Sequence, residues 1–146
     1  MYPQIHASWA AIVGAVVASF FFGWLWYGPL FGHTWARLAG IAMDTKPDAA
    51  SMTRSMGLTL LGTVLTAYVL FYASEVWHPS VWKIGTDAPA WRYGFFNGFF
   101  TWVGFYVPML LGRIAWQNAS GQLFGLDAAY HLVNLQLMAM ILAYWR

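Results

Sequence analysis

The chain of 146 residues contains no cysteine, which excludes disulfides, thiolate metal sites and cysteine nucleophiles. Charge is scarce as well, because 8% of the residues are charged, against about 25% in soluble domains. A soluble protein with so little charge would lack the polar surface that it needs, so most of this surface is expected to face lipid. The seven basic residues are scattered singly, and no nucleic-acid partner is expected.

The usual signatures of enzymes are also missing. The sequence has neither a Gly-rich phosphate loop nor a nucleophile elbow. Within the apolar segments the acidic residues are Glu75 and Asp127, which fall at opposite membrane faces and cannot form a catalytic pair. Glu75 and His78 are interpreted as a solvated helix end that pairs with Arg92. The composition therefore favours a protein that is not an enzyme, and it identifies no cofactor.

What the sequence does contain is four apolar segments of about the length that a helix needs to cross a bilayer. They lie at about 8–27, 56–76, 93–111 and 122–145, and they predict one all-α transmembrane domain over residues 1–146. A short amphipathic stretch at 33–41, with Gly40 as a stop and a cap near Thr34, predicts an interfacial helix in the first loop. No basic residue precedes the first segment, so it is expected to be a retained span and not a signal peptide.

Two of the segments end in a similar pattern, which is an aromatic residue, a tyrosine, a proline and then a glycine. Pro29 and Pro108 each remove a backbone donor, so both spans are expected to bend or end at comparable depth. A duplicated helical hairpin would explain the pattern, and coincidence in so aromatic a chain is the alternative.

The fourth segment carries a polar stripe. Asp127, His131 and Asn134 are spaced at i, i+4 and i+7, so they share one helical face. A carboxylate inside a span needs a partner, and Arg113 lies at the same predicted depth, with Arg37 as an alternative.

Two further contacts of the stripe are expected. Asp127 would accept a hydrogen bond from the ring of His131, and Asn134 would bridge to Asn97 or Thr101 on the third segment. Three interpretations of the stripe stay open: hydrogen bonds that hold the helices in register, a site for a ligand, proton or substrate, and a metal or pigment site on His131. A metal site would need more ligands than one aspartate and one histidine supply.

Two motifs resemble those of a known family. The first follows span one and carries Trp26, Tyr27, Pro29, Gly32 and Trp35, and the second, in the last span, carries Tyr130, His131 and Asn134. Together they resemble a bacterial group of small four-span membrane proteins known as domain of unknown function 1761. The resemblance covers nearly the whole chain, and it implies the architecture and a bacterial inner membrane but no established role for any residue.

Three functions are compatible with these observations. The first is a binding protein or accessory subunit that associates with itself or with other membrane subunits. The second is an oligomeric transporter or channel with its pathway along the fourth span. The third is a membrane enzyme that uses His131 on a lipid-soluble substrate. Loops one and three carry four basic residues and the opposite side three, which predicts that both termini lie in the periplasm.

Overall fold

The computed structural model describes residues 2–44 and 46–146, and all regular structure in them is helical. Two wide, π-helical turns continue α-helices, at Trp26–Leu30 and Trp102–Tyr106. A 3-10 turn at Pro79–Trp82 lies in the loop between the second and third long helices. The α-helices, in chain order, are α1 Trp9–Leu25, α2 Gly32–Ala39, α3 Ala49–Glu75, α4 Ala90–Thr101, α5 Val107–Gln117 and α6 Gly121–Tyr144.

Four helical segments are long and apolar enough to cross a membrane, which confirms the predicted architecture. They run over Trp9–Leu30, Ala49–Glu75, Ala90–Gln117 and Gly121–Tyr144. The second begins earlier than predicted because Asp48 caps it, with its carboxylate accepting a hydrogen bond from the Ser51 amide at 3.0 Å. The third ends later than predicted. It continues past Arg113, whose charge marked the end of the apolar segment in the sequence.

The two proline-containing segments both contain a π-helical turn, but they continue differently. In the first, the amide of Phe31 donates to the carbonyl of Trp26 at 2.8 Å, and the chain then turns into α2. In the third, the wide turn leads directly into α5, with Pro108 in the first helical turn. The first span therefore ends at its wide turn and the third does not, and the duplication stays a prediction.

The predicted helix in the first loop is present as α2. It ends at Gly40, which has a φ of 70°, as a left-handed C-terminal stop requires. The predicted cap at Thr34 is wrong, since the helix already begins at Gly32. A Cβ atom at Gly32 would lie 2.6 Å from the carbonyl oxygen of Tyr27, so only glycine fits where α2 folds back on the wide turn.

The last helix, α6, is the centre of the bundle and contacts α1, α3, α4 and α5. Its closest neighbour is α4, which meets it along Gly94 and Gly98. Asn97, on the same helix, donates its side-chain amide to the carbonyl of Leu70 at 2.8 Å and so fixes α4 to α3. The apolar core consists of Ala11, Ile12, Ala15, Val16, Ala67, Leu70, Phe71, Leu135, Met138 and Leu142.

At the end of the bundle opposite Arg113, ion pairs hold the chain terminus against the second loop. The Nε of Arg146 lies 3.1 Å from Glu75, and its Nη1 donates to Asp87 at 2.9 Å. Glu75 is buried, so the expected solvated helix end paired with Arg92 is wrong. The C-terminus folds back over the loop and brings Arg146 to Glu75, whereas Arg92 lies over the ring of Trp91.

The close packing of α4 on α6 predicts an effect of substitution at Gly94. Its Cβ would lie 3.1 Å from Met140 Cα and 3.2 Å from the Ala139 carbonyl oxygen, and neither backbone atom can move freely. Gly94→Val should lower the free energy of unfolding in detergent by about 1–3 kcal/mol. Gly112→Val is the matched control, since nothing lies within 4 Å of its Cβ, and an equal loss in both variants would contradict this packing.

The ion pairs at the chain terminus predict a pH dependence. Partial burial raises the pKa of the Asp87 carboxyl, but hydrogen bonds from Ser80 and Arg146 lower it more, so this pKa lies below its ordinary value. A lowered pKa stabilises the fold above the unfolded-state value of about 3.9, and this contribution is lost as the pH falls through the folded-state pKa. The wild type should therefore have a higher melting temperature than Asp87→Asn at pH 7, and the difference between the two temperatures should shrink towards pH 3. A difference that grows on acidification would contradict the assignment.

Candidate functional site

The polar stripe of α6 faces a cavity that is open on the side of α3. The cavity has a volume of about 900 Å³ and lies between α1, α3, α6 and the wide turn of the third segment. Asp127, His131, Asn134 and Met138 all line it, so the face predicted from helical spacing is turned towards protein.

A buried carboxylate with two donors forms the mouth of the cavity. The side chain of Asp127 is 6% exposed. One of its oxygens accepts a hydrogen bond from the Tyr27 hydroxyl at 2.9 Å, and the other accepts one from Arg113 at 2.8 Å. The ion pair with Arg113 was expected, and the hydroxyl from the first span completes it. These two charge-assisted hydrogen bonds connect the ends of three spans.

The two sequence motifs meet at this carboxylate. The ring of Tyr130 packs against that of Tyr27, with centroids 4.7 Å apart, and against that of Trp26 at 6.1 Å. Trp35, on α2, meets Tyr27 edge-on at 5.5 Å. Pro29 lies in the wide turn that carries Tyr27, and α2 can approach this turn because residue 32 is glycine. The first motif therefore shapes one wall of the cavity, against which the second motif packs.

Histidine 131 faces the cavity without a hydrogen-bond partner in the described part of the chain. Its ring is half-buried and lies against Tyr106, at 4.7 Å between centroids, and against Tyr130 at 5.0 Å. The expected hydrogen bond from His131 to Asp127 is not formed, because both carboxylate oxygens are directed to Tyr27 and Arg113. The two ring nitrogens are thus left for whatever occupies the cavity.

The amide of Asn134 is also incompletely satisfied. Its Nδ2 makes a weak contact with the sulfur of Met138 at 3.7 Å, and its Oδ1 is buried with no hydrogen-bond partner among residues 2–44 and 46–146. A buried amide oxygen without a partner is unusual in a native protein. The predicted bridge to Asn97 or Thr101 is absent from the described residues. Both lie at another groove, and Asn97 donates to Leu70 on α3.

Several residues of the site were not predicted as such from the sequence. Thr59, Thr63 and Thr66 line the cavity wall opposite α6. Each of their hydroxyls donates to the carbonyl four residues earlier, which leaves the oxygen lone pairs as acceptors. Tyr106 joins this wall, with its hydroxyl 3.3 Å from that of Thr66. Their spacing on one face of α3 was the available signal.

No group of three or more histidine, aspartate or glutamate side chains that could hold a metal ion occurs in the described residues. The carboxylate nearest to His131 is already bonded to Arg113 and Tyr27. The arrangement is suited to hydrogen bonding with a neutral polar group, because the one cation and the one anion at the mouth neutralise each other.

A comparison with protein families gives one match. A family model described as "Protein of unknown function (DUF1761)" matches residues 10–143, a range that contains both motifs and the whole polar stripe. No curated protein and no solved structure matches the chain.

The network at the mouth predicts a coupling between Arg113 and Asp127. Arg113→Gln leaves a buried carboxylate without its cation, and we expect a loss of about 1–3 kcal/mol in the free energy of unfolding. Adding Asp127→Asn removes that uncompensated charge while keeping an acceptor for Tyr27, so the double variant should regain stability. Unfolding of the two variants in detergent measures the difference, and a double variant less stable than Arg113→Gln would contradict the pairing.

Proposed function

The chain belongs to the DUF1761 family, and we propose that it is a membrane protein that binds an amphiphilic small molecule in the cavity between α1, α3 and α6. The observation that supports this proposal most strongly is the ring of His131, which faces the cavity and makes no hydrogen bond within the described residues. Polar groups inside a bundle normally find a partner, and a bound molecule would supply one.

The lining of the cavity indicates the chemistry of the ligand. His131 in its neutral form offers one donor and one acceptor to a molecule in the cavity. Around these polar groups the walls are largely apolar or aromatic, including Phe20, Trp24 and Met56. A molecule with a hydroxyl or carbonyl group on a hydrophobic body would satisfy both parts of the lining.

The shape of the bundle suggests that the ligand enters from the bilayer. All residues from 49 to 62 of α3 are exposed, so this half of the helix stands away from the rest of the protein. Met52, Met56 and Thr59 lie on this half and line the cavity. A lipid-soluble molecule could therefore pass beside α3 without crossing water.

The same geometry favours binding over conduction. The polar lining reaches Met138, and beyond it the apolar core around Leu142, Leu70 and Phe71 fills the bundle. A transport pathway would need polar groups or water to continue through this layer. Catalysis by His131 has less support than binding, because the carboxylate that would orient the ring is bonded elsewhere.

The proposal also covers the membrane location of the protein and its association with other chains. We place the chain in the bacterial inner membrane with both termini in the periplasm, on the basis of the family resemblance and the charge difference between the loops. We also propose that it works as a homo-oligomer or as an accessory subunit of a larger membrane complex. The exposed half of α3 carries Leu58 and Leu61 on one face, which offer an apolar surface to a second helix.

Filling the cavity tests the proposal. Gly62 and Gly57 lie on α3 with no atom within 4 Å of their Cβ positions, but only Gly62 lines the cavity. Protein purified in mild detergent is extracted with organic solvent, and retained molecules other than phospholipids are quantified by mass spectrometry. The wild type and Gly57→Phe should retain about one molecule per chain, whereas Gly62→Phe should lose it because the phenyl ring occupies the same space.

A second variant separates binding from folding. His131→Leu removes the free polar ring, and it should reduce the retained molecule about fivefold, as expected for one lost hydrogen bond, with little change in melting temperature. A wild type that retains only phospholipid would contradict the proposal, and so would equal retention by the two phenylalanine variants.

A further inference from the structure

A second groove lies on the outside of the bundle, between the end of α3, α4 and the wide turn at Trp102–Tyr106. Its volume is about 600 Å³. It shares no lining residue with the cavity that contains His131. We propose that this groove binds one anionic phospholipid, with its phosphate at Arg92 and an acyl chain along the aromatic side chains below.

The charge at the mouth of the groove supports an anionic head group. Arg92 lines the groove and lies over the ring of Trp91, with 5.7 Å between its Cζ and the ring centroid. In the described residues no carboxylate pairs with Arg92, because Glu75 and Asp87, the acidic side chains at this end, both bind Arg146. A free guanidinium at the level of the lipid phosphates attracts an anionic head group.

The body of the groove suits an acyl chain. Phe96 and Phe100 stand one helical turn apart with their rings nearly parallel, 6.0 Å between centroids, and both are exposed. Phe105 extends this wall, and Ala73 leaves room on the opposite side. From Arg92 to Phe105 the helical segment advances about 20 Å, close to the depth of about 15 Å of one leaflet of the hydrocarbon core.

A polar residue lies between these two parts. Ser74 is 3% exposed, and its hydroxyl has no hydrogen-bond partner in the parts of the chain that the structure describes. It lines the groove one residue before α3 ends, and therefore close to the level of Arg92 in the first turn of α4. The ester groups of a phospholipid lie just below its phosphate, where a rotation of this side chain would give them a donor.

Native mass spectrometry of the detergent-purified protein tests the inference. The protein is titrated with phosphatidylglycerol and with phosphatidylcholine of the same acyl chains. We expect the wild type to bind phosphatidylglycerol about fivefold more tightly, the usual effect of one basic residue near a membrane surface. Arg92→Gln should abolish this preference. Lys83→Gln, which removes a cation from the loop that precedes α4, should keep it.

Three results would overturn the inference: equal binding of the two lipids by the wild type, an unchanged preference in Arg92→Gln, or an equal loss in Lys83→Gln. Glycerophosphoglycerol separates a lipid groove from a simple phosphate site, because it is the same phosphodiester head group without acyl chains. It should not displace phosphatidylglycerol, and efficient displacement would contradict the acyl-chain contact. Gly62→Phe should leave the lipid preference unchanged, so this result is independent of the ligand in the other cavity.

Discussion

The carboxylate of Asp127 is the group on which the rest of this site depends. A charged side chain inside a span is tolerated only if protein groups replace the water that it has lost. Here the replacement comes from two other spans, as the hydroxyl of Tyr27 and the guanidinium of Arg113 each take one oxygen. One buried charge therefore ties together the first, third and fourth spans at a single level.

This arrangement explains why the cavity exists and what it offers. The wide turn at Trp26–Leu30 brings Tyr27 to Asp127 and packs Trp26 against Tyr130, so the aromatic motif forms a wall of the cavity. Because Asp127 is fully engaged, His131 one turn deeper is left facing open space. The ion pair at the mouth of the cavity is thus fully bonded, whereas His131 has no hydrogen-bond partner in the described residues. This combination suits a ligand that joins a neutral polar group to an apolar hydrocarbon part.

Much of this could be predicted from periodicity and burial cost. The spacing of Asp127, His131 and Asn134 places them on one face, and the depth of Arg113 identifies a partner for the carboxylate. The tyrosine partner could not be predicted, because its position depends on how the chain turns around Gly28 and Gly32. The threonines of α3 share one helical face, but this spacing alone does not distinguish a cavity wall from a surface for helix packing. The burial of Glu75 depends on where the chain terminus folds. These contacts depend on the tertiary structure, which local sequence patterns do not specify.

The pairing of Arg113 with Asp127 in a bilayer can be measured directly by rotational-echo double-resonance solid-state NMR. The protein is reconstituted in lipid with ¹⁵N-labelled arginine and ¹³C-labelled aspartate, in an Asp87→Asn background that removes the other Arg–Asp pair of the described residues. We expect strong dephasing of one aspartate carboxyl signal, because a guanidinium nitrogen lies at hydrogen-bonding distance from it. This dephasing should be lost when Asp127→Asn is added. If no aspartate carboxyl is dephased, Asp127 is not held by Arg113, and the account is contradicted.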